Sequence, residues 1–78
     1  MSRLNQLAIN DEGFLFDPST GESYTVNPSG LHILKALKAN LSVEDITKSL
    51  QGNFDMVPSE AERDVLDFIG HLRTYRLL

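Results

Sequence analysis

A chain of 78 residues has room for one domain, and 41% hydrophobic with 23% charged residues is the balance of a globular protein rather than a disordered one. The absence of cysteine excludes disulfides, thiol catalysis and cysteine-based metal sites. A formal net charge of −4 disfavours nucleic-acid partners, because lysine and arginine supply most of the affinity for phosphates. We expect a single domain over 1–78.

Targeting and membrane segments are not predicted. The first six residues lack the apolar stretch of a signal peptide, and no apolar run approaches the roughly 20 residues that cross a bilayer. We therefore expect a cytoplasmic protein without membrane contacts.

The first third of the chain has the patterns of strands and turns. The segment Asn10-Asp11-Glu12-Gly13 has hairpin-turn chemistry, and Asp17-Pro18-Ser19-Thr20-Gly21 is the clearest turn, with proline presetting φ and glycine supplying the exit. Apolar residues alternate with polar ones on either side of these turns. The pattern predicts a three-stranded antiparallel meander with strands at about 4–9, 13–17 and 22–26.

From Asn27 onward the apolar period is helical. Asn27 before Pro28 predicts a helix start, and Asn40 is a left-handed stop. Ser42 begins a second helix that we expect to end at Gly52. Ser59 and Glu62 have the spacing of a capping box that opens a third helix, running to about Tyr75. The predicted fold class is α+β, a meander followed by a three-helix bundle.

The last helix is predicted to be amphipathic. Its inward stripe contains five residues at helical spacing, Ala61, Val65, Phe68, Leu72 and Tyr75. Ile69 lies at the margin of this stripe. We expect Phe54, in a loop over 53–57, to anchor that loop in the core.

The residues offer little for catalysis. His32 and His71 lie on different predicted helices without a metal-ligand spacing, which favours two solvated surface histidines over a metal site. The acidic residues of the third helix favour a solvated face over an acid–base pair. No serine lies in a nucleophile elbow, and no glycines form a phosphate-binding loop. We predict a protein that is not an enzyme and has no cofactor.

The surface offers two candidates for recognition. The third strand is an edge if spatial order follows sequence order, and an extended peptide could add to it; the alternative is a short edge protected by its polar side chains. On the third helix, Leu66 and its helical neighbours could form a second wall of a groove, although one exposed leucine is also normal. That row is Glu62, Leu66, Ile69 and Arg73.

The order of motifs resembles a known family. Asp17-Pro18-Ser19-Thr20-Gly21-Glu22-Ser23-Tyr24 precedes Asn27-Pro28-Ser29-Gly30, and Leu41-Ser42-Val43-Glu44-Asp45-Ile46 precedes Asp64-Val65-Leu66-Asp67-Phe68-Ile69. Along nearly the whole chain this resembles the PqqD family of peptide chaperones, also called RiPP recognition elements. The family often has glycine where this chain has Asn40, which tolerates the same left-handed backbone.

The resemblance implies a winged-helix-like fold and a non-catalytic role. It implies that the leader peptide of a precursor adds beside the third strand and packs against the last helix. It also implies that the domain presents this peptide to a modifying enzyme, such as a radical-SAM protein, in the biosynthesis of a quinone cofactor or of another modified peptide. The expected peptide contacts are Glu22, Ser23, Tyr24, Thr25, Val26, Leu66, Ile69 and Arg73. There are two alternatives: a winged-helix DNA-binding regulator, and a structural subunit docked on an enzyme. Acidic residues at the helix starts argue against DNA binding.

Overall fold

The computed structural model of the protein describes residues 3–78, and it contains a sheet followed by three helices. The strands pair antiparallel in the order β1-β2-β3, which confirms the predicted α+β meander and bundle. A short 3-10 helix, Arg3–Gln6, precedes the sheet. The elements are β1 Ala8–Ile9, β2 Phe14–Asp17, β3 Glu22–Thr25, α1 Pro28–Lys38, α2 Val43–Phe54 and α3 Pro58–Thr74.

Both predicted turns form by the expected chemistry. The Asn10 side-chain Oδ1 accepts hydrogen bonds from the backbone N–H groups of Glu12 (2.9 Å) and Phe14 (3.2 Å). In the second turn, the buried Asp17 accepts from the Ser19 N–H through Oδ1 (2.9 Å), and its backbone oxygen accepts from the Gly21 N–H (2.8 Å). Local polar side chains therefore fix the register of the sheet.

The starts of α1 and α2 and the end of α1 are also as predicted. Asn27 Oδ1 accepts from the Gly30 N–H (2.8 Å), and Ser42 Oγ accepts from the Asp45 N–H (3.1 Å). Asn40 has a φ of 63°, and its N–H donates to the Leu37 oxygen (3.0 Å). These bonds satisfy backbone groups that a helix end leaves without an intrahelical partner.

The segment predicted as the start of the first strand is instead the 3-10 helix. Leu4 and Leu7 are both buried, and the Leu7 N–H donates to the Leu4 oxygen (3.2 Å). Residues three apart lie on the same side of a 3-10 helix but on opposite faces of a strand. The 3-10 helix therefore allows both leucines to be buried on the same side of the chain, and β1 is limited to Ala8–Ile9.

Two other predicted boundaries were wrong. The second helix continues through Gly52 to Phe54 and ends where Asp55 adopts a left-handed φ of 52°. The third helix begins at Pro58 rather than after Ser59, because proline at the first helical position needs no N–H partner, and the Ala61 N–H already donates to the Val57 oxygen (3.0 Å). The predicted capping box at Ser59 is therefore absent.

The core has two parts that share α1. One cluster packs the three helices together, and the other packs the sheet and the chain ends against α1 and α3. Adjacent residues of α1 serve both, since Ile33 belongs to the first cluster and Leu34 to the second. The buried members of the second cluster are Leu4, Leu7, Leu15, Leu34, Leu72 and Leu77.

Three side chains differ from their predicted burial. Phe54 does not anchor the core; it is 37% exposed and its ring meets the edge of the His32 ring at a centroid distance of 5.6 Å. His32 is half-buried rather than fully solvated, and its Nε2 lies 2.7 Å from Ser49 Oγ. Tyr75, predicted to face inward, is 54% exposed. Over residues 3–78, no helix is long and apolar enough to cross a membrane.

Candidate functional site

The outer edge of β3 presents backbone hydrogen-bonding groups to solvent. The Val26 N–H donates to the Gly13 oxygen (2.9 Å), so Val26 faces β2 at a hydrogen-bonded position. Paired residues alternate between hydrogen-bonded and non-hydrogen-bonded positions in an antiparallel ladder. Counting back along the register, Tyr24 and Glu22 also face β2, whereas the N–H and C=O groups of Ser23 and Thr25 point away from the sheet.

Glycine at position 13 is required for this arrangement. Gly13 has a φ of 93°, and a Cβ added there would lie 2.4 Å from the backbone oxygen of Val26. The close approach of the two backbones at the end of the β2–β3 ladder therefore depends on the missing side chain.

The side chain of Tyr24 connects β3 to α3. Its ring lies 5.3 Å from the ring of Tyr75, centroid to centroid, at a tilt of 52°. The Tyr24 hydroxyl donates to Glu22 Oε2 at 2.6 Å, which fixes the ring orientation. Tilted ring pairs of this kind are favourable, and Tyr75 still keeps about half of its surface exposed. The pair forms an aromatic ledge beside the open edge of β3.

At the Val26 end of β3, the neighbouring side chain of α3 is that of Phe68. A Cβ built on Gly30 would lie 3.0 Å from the Phe68 ring and 3.3 Å from the Val26 side chain, so these groups meet around Gly30. Phe68 also lines a small cavity of about 150 Å³ with Asp64 and Asp67. Asp64, Phe68 and Tyr75 are spaced by four and seven residues, which places them on one flank of α3.

Leu66, predicted as part of the second wall of the groove, lies on a different flank of α3 from the residues next to β3. Leu66 does not lie beside β3; it lines a cavity of about 370 Å³ between α2 and α3, together with Glu62 and Val43. Two residues of separation put Leu66 on nearly the opposite side of α3 from Phe68. The flank next to β3 is therefore the one with Phe68 and Tyr75.

The other two predicted residues of that row have different positions as well. Ile69 is only 7% exposed and belongs to the helical core cluster, so it offers little surface to a ligand. Arg73 is exposed, and helical spacing places it on the Leu66 flank rather than beside β3. The structure therefore brings Tyr24 together with Tyr75, and Val26 together with Phe68. Leu66 and Arg73 lie on the other flank of α3.

Metal-binding side chains are not clustered in the described part of the chain. Residues 3–78 contain no group of three or more histidine, cysteine or carboxylate side chains that could hold a metal ion. In the turn between β1 and β2, a hydrogen bond from Lys35, and its charge, hold the pKa of the Asp11 carboxyl below its ordinary value. What the site offers is a backbone edge and aromatic surface, the chemistry of peptide recognition.

Sequence reasoning missed the flank that faces β3. Phe68 and Tyr75 were predicted as core because their spacing fits the apolar stripe. Phe68 is partly buried at the edge of both core clusters, and Tyr75, at the end of α3, is 54% exposed. The tyrosine hydroxyl was the available signal, since tyrosine is common where one end of a side chain is apolar and the other is wet.

Comparison with known proteins gives the family and two similar structures. The sequence profile of "Coenzyme PQQ synthesis protein D (PqqD)" matches residues 12–78. A solved structure described as "TbiB1 in Complex with the TbiA(beta) Leader Peptide" has a TM-score of 0.81 and 25% identity, covering 92% of this chain and 85% of that one. No curated protein matches the chain.

The second similar structure is described as "Lasso peptide synthetase B1 complexed with the leader peptide". Its TM-score is 0.78 and its identity 25%, with coverage of 91% of this chain and 85% of that one. The fold is thus shared with two proteins solved with leader peptides, and the profile spans both the β2–β3 hairpin and all three helices. The chain belongs to the PqqD family.

Proposed function

We propose that this domain binds the leader segment of a precursor peptide as an added strand on β3 and presents it to a modifying enzyme. The observation that carries the proposal is the open edge of β3, where Ser23 and Thr25 point their N–H and C=O groups away from the sheet. A peptide that pairs there satisfies those groups and extends the sheet to four strands.

The opposite edge of the sheet is a poorer acceptor. Strand β1 has two residues, whereas β3 has four. In strand addition, main-chain hydrogen bonds give affinity and side-chain contacts give specificity, so the longer edge is the better acceptor. An aromatic ledge, formed by Tyr24 and Tyr75, lies beside β3. A bound peptide would lie with alternate side chains against this ledge and against Phe68.

The proposed contacts are the strand Glu22, Ser23, Tyr24, Thr25 and Val26 with the Phe68 and Tyr75 flank of α3. This replaces the expected contribution of Leu66, Ile69 and Arg73 on geometric grounds. Both similar structures are described as holding leader peptides, which supports the same class of ligand here.

The domain is proposed to act without catalysis of its own and to rely on a partner enzyme. The similarity to a lasso peptide synthetase protein supports a peptide-modifying synthetase system as that partner, and a radical-SAM enzyme is the other proposed partner. DNA binding has no comparable support, since the first turn of α2 carries Glu44 and Asp45.

A titration tests the proposal. Isotope-labelled protein is mixed with a synthetic leader peptide of the precursor encoded beside this gene, and amide resonances are followed by NMR. We expect the largest shifts at Ser23 and Thr25 and along the Tyr75 flank of α3. Saturable binding with shifts confined to other surfaces would refute strand addition at β3.

A further inference from the structure

The groove between α2 and α3 is a second exposed apolar surface, separate from the β3 edge. One end of the groove is formed by Val43 and Leu66 and is apolar. Val43 is 41% exposed and Leu66 is 51% exposed. The cavity there has a volume of about 370 Å³. Its lining consists of Val43, Glu44, Thr47, Lys48, Gln51, Pro58, Glu62 and Leu66.

Two rows of side chains at four-residue spacing form the walls. Val43, Thr47 and Gln51 form the row on α2, and Pro58, Glu62 and Leu66 form the row on α3. The short connection between the helices makes them antiparallel neighbours, so Val43 lies near the Leu66 end and Gln51 near the Pro58 end. Each row is about 12 Å long, which matches roughly two turns of a docked helix.

The charges along the groove define the occupant. Lys48 is paired with Glu44 (Nζ–Oε1 3.2 Å), so its charge is compensated. Glu62, in the middle of the facing row, makes no ion pair or side-chain hydrogen bond within the described residues. A second copy of this chain docked symmetrically would bring another Glu62 toward the first, which is unfavourable. An incoming lysine or arginine would compensate it.

We propose that this groove is the docking site for a basic amphipathic helix of a partner protein. Apolar side chains of that helix, at i, i+3 or i+4 and i+7, pack along the groove from Val43 and Leu66 toward Pro58, and a lysine or arginine on its margin pairs with Glu62. Because Leu66 and Phe68 lie on nearly opposite flanks of α3, the groove and the β3 edge can be occupied together. The proposal therefore does not depend on strand addition at β3.

Two synthetic probes test the proposal. One is a short amphipathic helical peptide with leucines at i, i+4 and i+7 and lysines beside them, and its twin has glutamates in place of the lysines. We expect the lysine probe to shift the amide resonances of Val43, Thr47 and Leu66 and to bind up to about fivefold tighter than the twin, the range of an exposed ion pair.

Three variants give the controls. Glu62→Gln should abolish the preference for the lysine probe, and Leu66→Ser should weaken both probes. Phe14→Ser, which replaces an equally exposed apolar residue on the outer face of the sheet, should leave both affinities unchanged. Absence of binding, shifts centred on β3, or a preference that survives in Glu62→Gln would each overturn the proposal. Leader-peptide binding at β3 is tested separately, by the titration with the leader peptide.

Discussion

Replacing Thr25 with proline would remove one outward N–H from the edge of β3 and leave the ladder to β2 intact. The N–H of Thr25 points away from β2, and proline is tolerated on edge strands where its missing donor faces solvent. One lost backbone hydrogen bond costs about 0.5–1.5 kcal/mol, which corresponds to a roughly two- to twelvefold rise in the Kd of the leader peptide. The proline ring also occupies space that the incoming strand needs, so we expect the upper end of that range or more.

Thr25→Val is the matched control, since it keeps the N–H and the β-branched shape. Its Kd, measured by isothermal titration calorimetry, should stay close to that of the parent protein. Circular dichroism and thermal unfolding would establish that both variants are folded. If a folded Thr25→Pro variant binds the leader peptide as tightly as Thr25→Val, the reasoning about the outward edge is wrong.

Three further predictions follow from named contacts. Tyr75→Ala should weaken leader-peptide binding by about fivefold, because it removes half of the aromatic ledge on which the peptide packs, whereas Leu66→Ala should not; equal effects in calorimetry would contradict the assignment of flanks. Asn40→Gly should raise the free energy of unfolding and Asn40→Ala should lower it by about 1 kcal/mol, because φ is 63° there; urea unfolding that ranks alanine above asparagine would argue against this. The pKa of Asp11, followed by NMR, should lie below 3.8 and return toward it in Lys35→Met. Since the folded-state pKa is lowered, the stabilisation from this pair is present above the ordinary aspartate pKa and is lost as pH falls through the lowered value. An Asp11 pKa that does not change in Lys35→Met would exclude the contact.

The features predictable from sequence were those determined by neighbouring residues. The turn at Asp17 and the helix start at Asn27 depend on side chains that bond to backbone groups two or three positions away, and both formed as expected. The left-handed backbone of Asn40 is likewise a local feature, because it depends on the residue type at that position. Such local bonds are encoded within a few residues, so they can be inferred without knowledge of tertiary packing.

The features that could not be predicted depend on which neighbour each surface meets. Periodicity placed Leu66 outside the core stripe of α3, but it could not tell whether that flank faces β3 or α2. The position of α2 decides this, and it gives Leu66 a place in the helical groove. Similarly, the burial of Leu4 converted a predicted strand into a 3-10 helix, since that burial exists only once α1 and α3 have packed against the chain start.

Amide hydrogen exchange with and without leader peptide tests strand addition at β3 most directly. We predict that saturating peptide slows exchange at Ser23 and Thr25, whose N–H groups become bonded. The control is the Ile9 amide, which points away from β2 on the opposite edge of the sheet and should exchange at an unchanged rate. Protection at Ile9 instead, or unchanged exchange at both Ser23 and Thr25 under saturating peptide, would contradict strand addition at β3.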